Sequence, residues 1–399
     1  MTLASDFAED VEPFRLSMLI YDKRYRSYTL QVVTLMLVML AVGWLVNNVI
    51  ENFRITGKEF SFDFLWQPSS YDINQRLIEY TSRSPHWKAA LVGILNTLVL
   101  AVLGCVFATI LGVIIGISRL SKNWLIARLM TGYIEALRNV PVLLWILVAS
   151  SVLTSILPSP RQAPTLLGGF VPTNRGFYTP APTFESGAWV LGLVFLASLA
   201  AIWFFGRWAK ARQEETGATL PTFWIKLAVF FLPVVLMYFV MGQPVGLEIP
   251  ELKGFNFKGG LFIRTSFVAL WLALTLYTAA FIAEAVRAGI QAISHGQTEA
   301  ASSLGLPATR TMNLVILPQA LRIIIPPLIS QYLNLTKNSS LALAVGYMDV
   351  TGTLGGITLN QTGKEMECLL LLMGFYLVVS LLISGAMNIY NNAVSLEER

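Results

Sequence analysis

The sequence predicts an all-α, polytopic integral membrane protein with about eight transmembrane helices. Hydrophobic residues make up 55% of the 399 residues and charged residues only 13%, which is about half of the charged share usual in soluble domains. Several apolar runs reach the roughly 20 helical residues needed to cross a ~30 Å hydrocarbon core. The net charge is +5, but the basic residues are scattered rather than gathered in a stripe, which disfavours nucleic-acid binding.

Eight apolar runs are the candidate spans. They cover residues 29–49, 89–117, 140–157, 188–205, 223–241, 262–290, 317–335 and 367–389. An amphipathic stretch over residues 124–138 leads into the third run and predicts a helix lying in the membrane interface. In the second run, Gly112 and Gly116 form a small-xxx-small face, which favours close helix packing. Gly and Thr residues interrupt the apolar helical pattern over residues 336–365.

Basic residues beside the apolar runs predict the orientation of the chain. A basic cluster at residues 15–26 precedes the first run, and further basic segments lie at residues 119–123 and 207–212. Because cytoplasmic loops are enriched in Lys and Arg, both termini are expected in the cytoplasm. The first run lacks a small-residue cleavage site, so we expect a retained helix rather than a signal peptide.

Few residues suit catalysis, metal binding or disulfide formation. Cys105 and Cys368 lie in apolar runs, which favours buried free thiols over a disulfide. His86 and His295 are far apart in the sequence and lack metal-ligand spacing. The Gly-Lys-Glu segment at residues 363–365 lacks the glycine spacing and the hydroxyl residue of a P-loop for ATP. We therefore expect no enzymatic active site, no metal and no cofactor in this chain.

The polar segment Glu299–Gly305 stands between two long apolar runs and predicts a helix, a sharp turn and a second helix. Gly305 permits the left-handed backbone that ends a helix, and Pro307 suits the first turn of the next one. Small alanines allow a partner surface to approach closely, and Glu299 could pair with a partner arginine. We interpret the segment as a docking surface; a plain turn between helices is the alternative. The residues assigned to this docking surface are Gln297, Glu299, Ala300, Ala301, Gly305 and Leu306.

Charged and polar residues at membrane depth are candidates for a substrate pathway or a gate. Glu135 with Arg138, and Glu284 with Arg287, are spaced to pair on one helix face, either as gates or as structural ion pairs. After the seventh run, Lys337 and its amide and hydroxyl neighbours could hold a substrate carboxylate, or Lys337 could extend outward from a helix end. The candidate pathway residues are Asn96, Thr97, Gln331, Asn334, Lys337, Asn338, Ser339 and Ser340.

The same segments carry a resemblance to a known family. The spacing E-A-A, three residues, Gly, nine residues, Ile, one residue, Leu-Pro is that of the EAA loop of ABC importer permeases, with Val315 in place of the Ile. Further stretches are similar to motifs of the polar amino-acid permeases, at residues 96–98, 133–141, 284–290, 296–297, 317–320, 322, 326–328 and 337–341. The long segment between residues 157 and 262, together with the Arg-Asn-Val-Pro variant at residues 138–141, resembles the Q-type permease subunits of general L-amino-acid transporters.

This resemblance implies the type I fold of ABC importer permeases, in a bacterial inner membrane. The permease domain is then expected over residues 89–389, with residues 158–260 as an insertion carrying two extra spans. Residues 1–28 are expected as a cytoplasmic segment, residues 29–88 as an extra span with a periplasmic segment, and residues 390–399 as a cytoplasmic tail.

The resemblance also implies import of L-amino acids, with a separate cytoplasmic ABC ATPase dimer acting through the EAA loop. ATP and Mg are expected on that ATPase. The other expected partners are a second homologous permease subunit, with a heterodimer favoured over a homodimer, and a periplasmic amino-acid-binding protein.

Departures from the family bear on the substrate. Relatives often carry acidic residues where this chain has Ser330-Gln331 and Asn338-Ser339, so broad or acidic and polar substrates are expected rather than basic ones. The rival interpretation is a secondary transporter or channel driven by an ion gradient, for which Asp349 and Glu365 are the candidate coupling groups. A membrane scaffold without transport is a third.

Overall fold

The computed structural model describes residues 17–217 and 220–394. Parts of the expected cytoplasmic segment and tail, residues 1–16 and 395–399, lie outside the described residues. The chain divides after Phe64 into two compact units. The first contains α1 (Met18–Tyr21) and α2 (Lys23–Thr56). The apolar side chains of α2 are exposed, and the helix is long and apolar enough to cross a membrane.

The second unit contains the remaining spans. Its longer helices are α3 (His86–Arg119), α4 (Trp124–Arg138), α5 (Val142–Ile156), α6 (Trp189–Thr216), α7 (Thr222–Val240), α8 (Thr265–Gln291), α11 (Leu317–Asn338) and α13 (Glu365–Val394). With α2, the described residues include 7 helical segments long and apolar enough to span a membrane. An eighth span results if α4 and α5, which meet at a bend of 104°, are counted as one broken span. The predicted helical class and the predicted number of spans are confirmed.

The bend between α4 and α5 separates an amphipathic helix from a span. Asn123 begins α4, because its side-chain oxygen accepts hydrogen bonds from the backbone N–H groups of Leu125 at 3.0 Å and Ile126 at 3.3 Å. Pro141 immediately precedes α5, where its fixed φ and missing N–H are tolerated. Ile134 on one face of α4 is buried against α8, whereas the opposite face is exposed. The arrangement matches the predicted amphipathic helix leading into the third span.

The helix α8 forms the centre of the second unit, and α3 packs along it at short range. Leu274 and Ile282 of α8 are fully buried. A Cβ atom at Gly112 of α3 would lie 2.6 Å from Ile282 Cγ2, and one at Gly116 would lie 2.7 Å from the Ala283 carbonyl oxygen. Lipid is as apolar as the helix surfaces, so close van der Waals contact of this kind is what holds membrane helices together. The predicted glycine face therefore positions α3 against α8.

Residues 158–264 contain small antiparallel sheets that the sequence patterns do not predict. The strands are β1 (Val171–Thr173), β2 (Gly176–Thr179), β3 (Ala181–Phe184), β4 (Val245–Glu248), β5 (Glu251–Lys253), β6 (Asn256–Lys258) and β7 (Leu261–Arg264). β2 lies between β1 and β7, β3 pairs with β4, and β5 pairs with β6. The pairing of Gly176 with Arg264 brings the two ends of the segment together. Each strand has 3 or 4 residues, too few for a clear alternation of polar and apolar residues.

The chain after α8 changes direction repeatedly. α9 (His295–Ser303) and α10 (Ala308–Thr311) are joined by a turn, and a π-helical turn (Met312–Ile316) leads into α11. A 3-10 helix (Ser339–Val345), a π-helix (Thr351–Thr358) and α12 (Leu359–Thr362) follow α11 and lead to α13. Gly346 has a φ of +67° where the direction changes, a backbone conformation that favours glycine. The break predicted over residues 336–365 is present.

The variant Gly116→Leu should loosen the contact of α3 with α8, because the added side chain meets backbone that cannot swing aside. Overpacking of this kind costs about 1–3 kcal/mol. Gly192→Leu is the matched control, since a Cβ at Gly192 of α6 meets nothing within 4 Å. Thermal unfolding of the detergent-solubilised protein should show a lower Tm for Gly116→Leu alone, and equal melting of the two variants would contradict this packing.

Candidate functional site

The turn after α9 is a helix-ending motif that depends on Gly305. Its φ is +74°, its N–H donates to the Ser302 carbonyl at 2.9 Å, and the Leu306 N–H donates to the Ala301 carbonyl at 3.1 Å. These two bonds form the Schellman arrangement, which prefers glycine because other residues are strained at positive φ. Pro307 then precedes α10. The helix, the turn and the second helix form where the sequence predicts them.

One face of this helix-turn element is exposed and another is anchored. Glu299, Ala300 and Leu304 are exposed, Leu304 over 82% of its surface. Ala301 is buried and Leu306 is half-buried, so the turn is held against the rest of the chain. An exposed leucine and an exposed carboxylate on one anchored helix-turn element are suited to docking, since a partner can recognise both an apolar and a charged group.

The other polar side chains of α9 are used within the element. The hydroxyls of Ser302 and Ser303 donate to backbone carbonyls one turn earlier, at 2.8 and 3.0 Å. Gln297 is exposed, and its side-chain oxygen lies 3.4 Å from Gln319 Nε2 at the start of α11. These bonds leave Glu299 as the charged group of the exposed face.

Glu284, near the end of α8, is held between two arginines. Arg287 Nη2 lies 2.5 Å from Glu284 Oε1, and Arg119, the last residue of α3, donates from Nη1 to Glu284 Oε2. Arg287 also donates from Nη1 to the side-chain oxygen of Gln291, the last residue of α8. The three charged side chains are 20–28% exposed, so water and salt screen them less than a surface pair. The cluster ties α3 to the part of α8 that leads into α9.

The predicted pairing of Glu135 with Arg138 is wrong. Both side chains are exposed on α4, and no ion pair joins them among the residues that the structure describes. The Arg138 guanidinium carbon lies instead 5.1 Å from the centre of the Phe281 ring on α8, a cation–π distance. An exposed pair gains little energy, so the aromatic contact prevails. A gating role for the two residues stays a prediction.

Most of the candidate pathway residues lie on the last turns of α11 and in the 3-10 helix after it. Asn334 and Lys337 are exposed, Gln331, Asn338 and Ser340 are half-buried, and Ser339 is buried. The hydroxyls of Ser339 and Ser340 donate to carbonyls three residues earlier, at 2.7 and 2.8 Å, so they are used locally. Gln331, Asn334 and Asn338 follow at helical spacing and lie on one face. These amides and the Lys337 ammonium form a polar stripe, and their use as a pathway stays a prediction.

Asn96 and Thr97 on α3 are enclosed in this structure. Asn96 Nδ2 donates to the carbonyls of Gln75 at 2.9 Å and Met348 at 2.8 Å. The Thr97 hydroxyl accepts a hydrogen bond from the Val350 N–H at 3.1 Å. Irregular backbone at membrane depth must have its polar groups hydrogen-bonded. These two side chains provide hydrogen-bond partners for backbone groups of the segment before the π-helix. This is the role that the contacts show; their place in a substrate pathway stays a prediction.

Two contacts are not predicted from the sequence: the pairing of Arg119 with Glu284, and the capping of the π-helix by Asp349, which is considered above only as a candidate coupling group. Arg119 lies 165 positions from Glu284, so no local pattern could reveal the pairing. Asp349 is fully buried, and its Oδ1 accepts from the Gly352 N–H at 2.8 Å, which caps the π-helix. An aspartate ahead of a Gly-rich, Thr-rich break is a signal for capping that could have identified it.

Neither cysteine is in a disulfide, and the described residues contain no group of three His, Cys, Asp or Glu side chains that could hold a metal ion. Cys368 is buried and Cys105 half-buried. His86 is also buried, with Nδ1 at 3.1 Å from the Thr358 hydroxyl.

The variant Glu284→Gln should destabilise the protein, because two arginines lose their carboxylate. We expect a loss of about 1–3 kcal/mol in the free energy of unfolding. In a double-mutant cycle, Arg119→Gln should cost less in the Glu284→Gln background than in the wild type. Glu135→Gln, an exposed carboxylate change, is the control and should leave the Tm unchanged. Additive effects of Arg119→Gln and Glu284→Gln would contradict the coupling.

Comparisons with known proteins agree with this architecture. The family described as "Binding-protein-dependent transport system inner membrane component" matches residues 194–395. The chain is 50% identical, over all of both proteins, to the glutamate/glutamine/aspartate/asparagine transport system permease protein BztB of Rhodobacter capsulatus. It is 43% identical to the general L-amino acid transport system permease protein AapQ of Rhizobium johnstonii, over 97% of this chain and 96% of that protein. It is also 43% identical to the putative amino-acid ABC transporter permease protein YhdX of Escherichia coli, over 94% and 95%. The chain therefore belongs to the binding-protein-dependent transport system inner membrane components and, among them, to the permease subunits of amino-acid ABC transporters.

Proposed function

We propose that this chain carries L-amino acids, acidic or broad in class, across the bacterial inner membrane as one permease subunit of an importer. Two relatives are named as permeases for glutamate, glutamine, aspartate and asparagine and for general L-amino acids. Near full-length identity of 43–50% to them supports the same substrate class here. Both termini lie in the cytoplasm in this proposal, as the basic residues beside the spans favour.

The observation that carries the proposal is the exposed face at Glu299, Ala300 and Leu304. A cytoplasmic ABC ATPase binds this face, with a basic group for the carboxylate and an apolar pocket for the leucine. α9 begins four residues after α8 ends, and the Glu284 cluster ties α8 to α3. A force applied to α9 therefore moves α8 and α3 together rather than bending a loose loop.

ATP and Mg belong to the ATPase dimer in this scheme, and this chain supplies no catalytic residue. Closure of the ATPase subunits draws together the docking faces of this chain and of a second, homologous permease subunit. The pathway between the two permeases then opens outward, where a periplasmic amino-acid-binding protein delivers the substrate. Reopening of the dimer releases the substrate into the cytoplasm.

The polar stripe at the end of α11 suits an amino acid with a free carboxylate. Lys337 is exposed and offers three donors to an anion. Gln331, Asn334 and Asn338 add neutral donors and acceptors without an acidic group. A stripe of this composition favours acidic and neutral amino acids over cationic ones, because no carboxylate balances a second positive charge.

The test is ATP-driven uptake into proteoliposomes containing this chain with its co-purifying permease and ATPase. Labelled glutamate, glutamine, leucine and arginine are supplied with the binding protein. We expect uptake of glutamate and glutamine that requires ATP and stops when the ATPase is left out. Uptake that follows an ion gradient without ATP would contradict the proposal and favour a secondary transporter, and no uptake under either condition would favour a scaffold.

The variant Gly305→Pro should abolish ATP-driven uptake while the protein still inserts, because proline cannot adopt the φ of +74° and has no N–H for the turn. Gly305→Asn is the matched control, since asparagine tolerates this conformation, and it should keep most of the uptake. Normal uptake by Gly305→Pro, at equal amounts in the membrane, would show that the turn does not couple the two proteins.

A further inference from the structure

Arg322 is a charged residue within α11, a helix that belongs to one of the candidate membrane spans. The residue is half-buried, and its Nε and Nη2 atoms are buried without a hydrogen-bond partner. The ion pairs among the described residues do not include it. A buried charge without a partner is costly, and an ionisable residue within a span therefore indicates a functional site.

The two unpaired nitrogens of Arg322 are the pair that suits a carboxylate. In a guanidinium, the Nε–H bond and one Nη2–H bond point in the same direction along one edge of the plane. This edge can donate two parallel hydrogen bonds to the two oxygens of a carboxylate, which an ammonium group cannot do. Both donors of the edge are unused in Arg322. The structure thus presents a two-donor site for a carboxylate that the described part of the chain does not supply.

Arg322 leaves α11 on the side turned away from α8. Ala320 and Ile324 are buried, and α8 contacts them closely, because a Cβ atom added at Gly289 of α8 would overlap the Ile324 side chain. Arg322 stands two positions from each of them in the sequence, which is roughly half a turn round the helix. The guanidinium is therefore not part of the contact between α11 and α8.

The side of α11 that carries Arg322 continues to the polar stripe. Pro326 and Ser330 follow Arg322 at intervals of four residues, and Lys337 follows Ser330 after seven; all three are exposed. Residues spaced in this way lie on one side of a helix. Arg322 and Lys337 are 15 positions apart, or roughly 22 Å along the helix. They are too far apart to hold one carboxylate together, so Arg322 forms a separate site.

We propose that Arg322 binds the α-carboxylate of the transported amino acid through Nε and Nη2. This inference rests on the proposed function, in which the polar side of α11 lines the pathway. Arg322 is five residues from the beginning of α11, which follows the helix-turn element after the π-helical turn. The site therefore lies at the end of the pathway near the ATPase, where the substrate is held before its release. Every L-amino acid carries an α-carboxylate, so this contact suits a broad range of substrates.

The test measures binding to the complex of this chain with its co-purifying permease and ATPase, in detergent and without the binding protein. Thermal unfolding is recorded against the concentration of leucine, glutamate, leucinamide or inorganic phosphate at constant ionic strength. A ligand that binds only the folded protein raises its Tm. We expect leucine and glutamate to raise the wild-type Tm until the site is saturated. Leucinamide, which has the same side chain as leucine but no carboxylate, and phosphate should have little effect.

Arginine variants show whether the response depends on the two-donor edge. R322K keeps the charge but loses that edge, and it should raise the half-saturating leucine concentration roughly 10-fold or more. R322Q should show at least the same loss. R128Q is the matched control, since Arg128 is an exposed arginine of α4, and it should respond as the wild type does.

Three results would overturn the proposal. In the wild type, they are no response to leucine, or an equal response to leucinamide or phosphate, and neither needs a variant that folds. In R322K, it is an unchanged response to leucine. In R322Q, it is loss of the second permease subunit at normal amounts in the membrane, since that subunit would then supply the carboxylate. ATP-driven uptake by the wild type tests the proposed function separately, so normal uptake with an unchanged R322K response would overturn this inference alone.

Discussion

The close contact of α3 with α8 is the constraint on which the rest of the molecule depends. Gly112 and Gly116 let the two helices approach until backbone and side chains touch, and this contact replaces the hydrophobic effect that would drive packing in water. The arrangement buries α8 from Phe267 to Gly289 on most sides. It also brings the ends of the two helices together, so that Arg119 reaches Glu284.

The contact of α3 with α8 connects α9 to the irregular segment that follows α11 through a series of packed helices. Helix α8 is buried along most of its length, and the Glu284 cluster joins its end to α3. Glu299 and Leu304 are exposed on α9 and at the Gly305 turn that follows it. At the other end of α3, Asn96 and Thr97 hold the irregular segment that follows α11. In the proposed function, a displacement of α9 is carried through α8 and α3 to the irregular segment that follows α11. Transmission of this kind requires rigid elements with satisfied polar groups, and both are present here.

The parts that sequence reasoning could predict are those governed by local chemistry. Hydropathy over twenty residues marks each span, Gly305 with Pro307 marks a turn, and the Gly-rich stretch after α11 marks a break, because each depends on neighbours in the chain. Arg119 with Glu284 could not be predicted, since their contact depends on the packing of two distant helices. Spacing alone also failed for Glu135 and Arg138, where exposure and the Phe281 ring outweighed the i,i+3 geometry. The strands β1–β7 were too short for a pattern, and the burial of Asn96 and Thr97 followed from the path of a distant segment.

The most direct test of the central claim is whether the exposed face after α9 touches the ATPase during transport. In the variant Leu304→Cys, the new thiol replaces a side chain that is 82% exposed, whereas the native Cys368 is buried and Cys105 half-buried. A short thiol-to-amine cross-linker applied to the complex should join this chain to the ATPase, and ATP should change the yield of that product as the partners close. Absence of the cross-link in a complex that still transports would contradict the account.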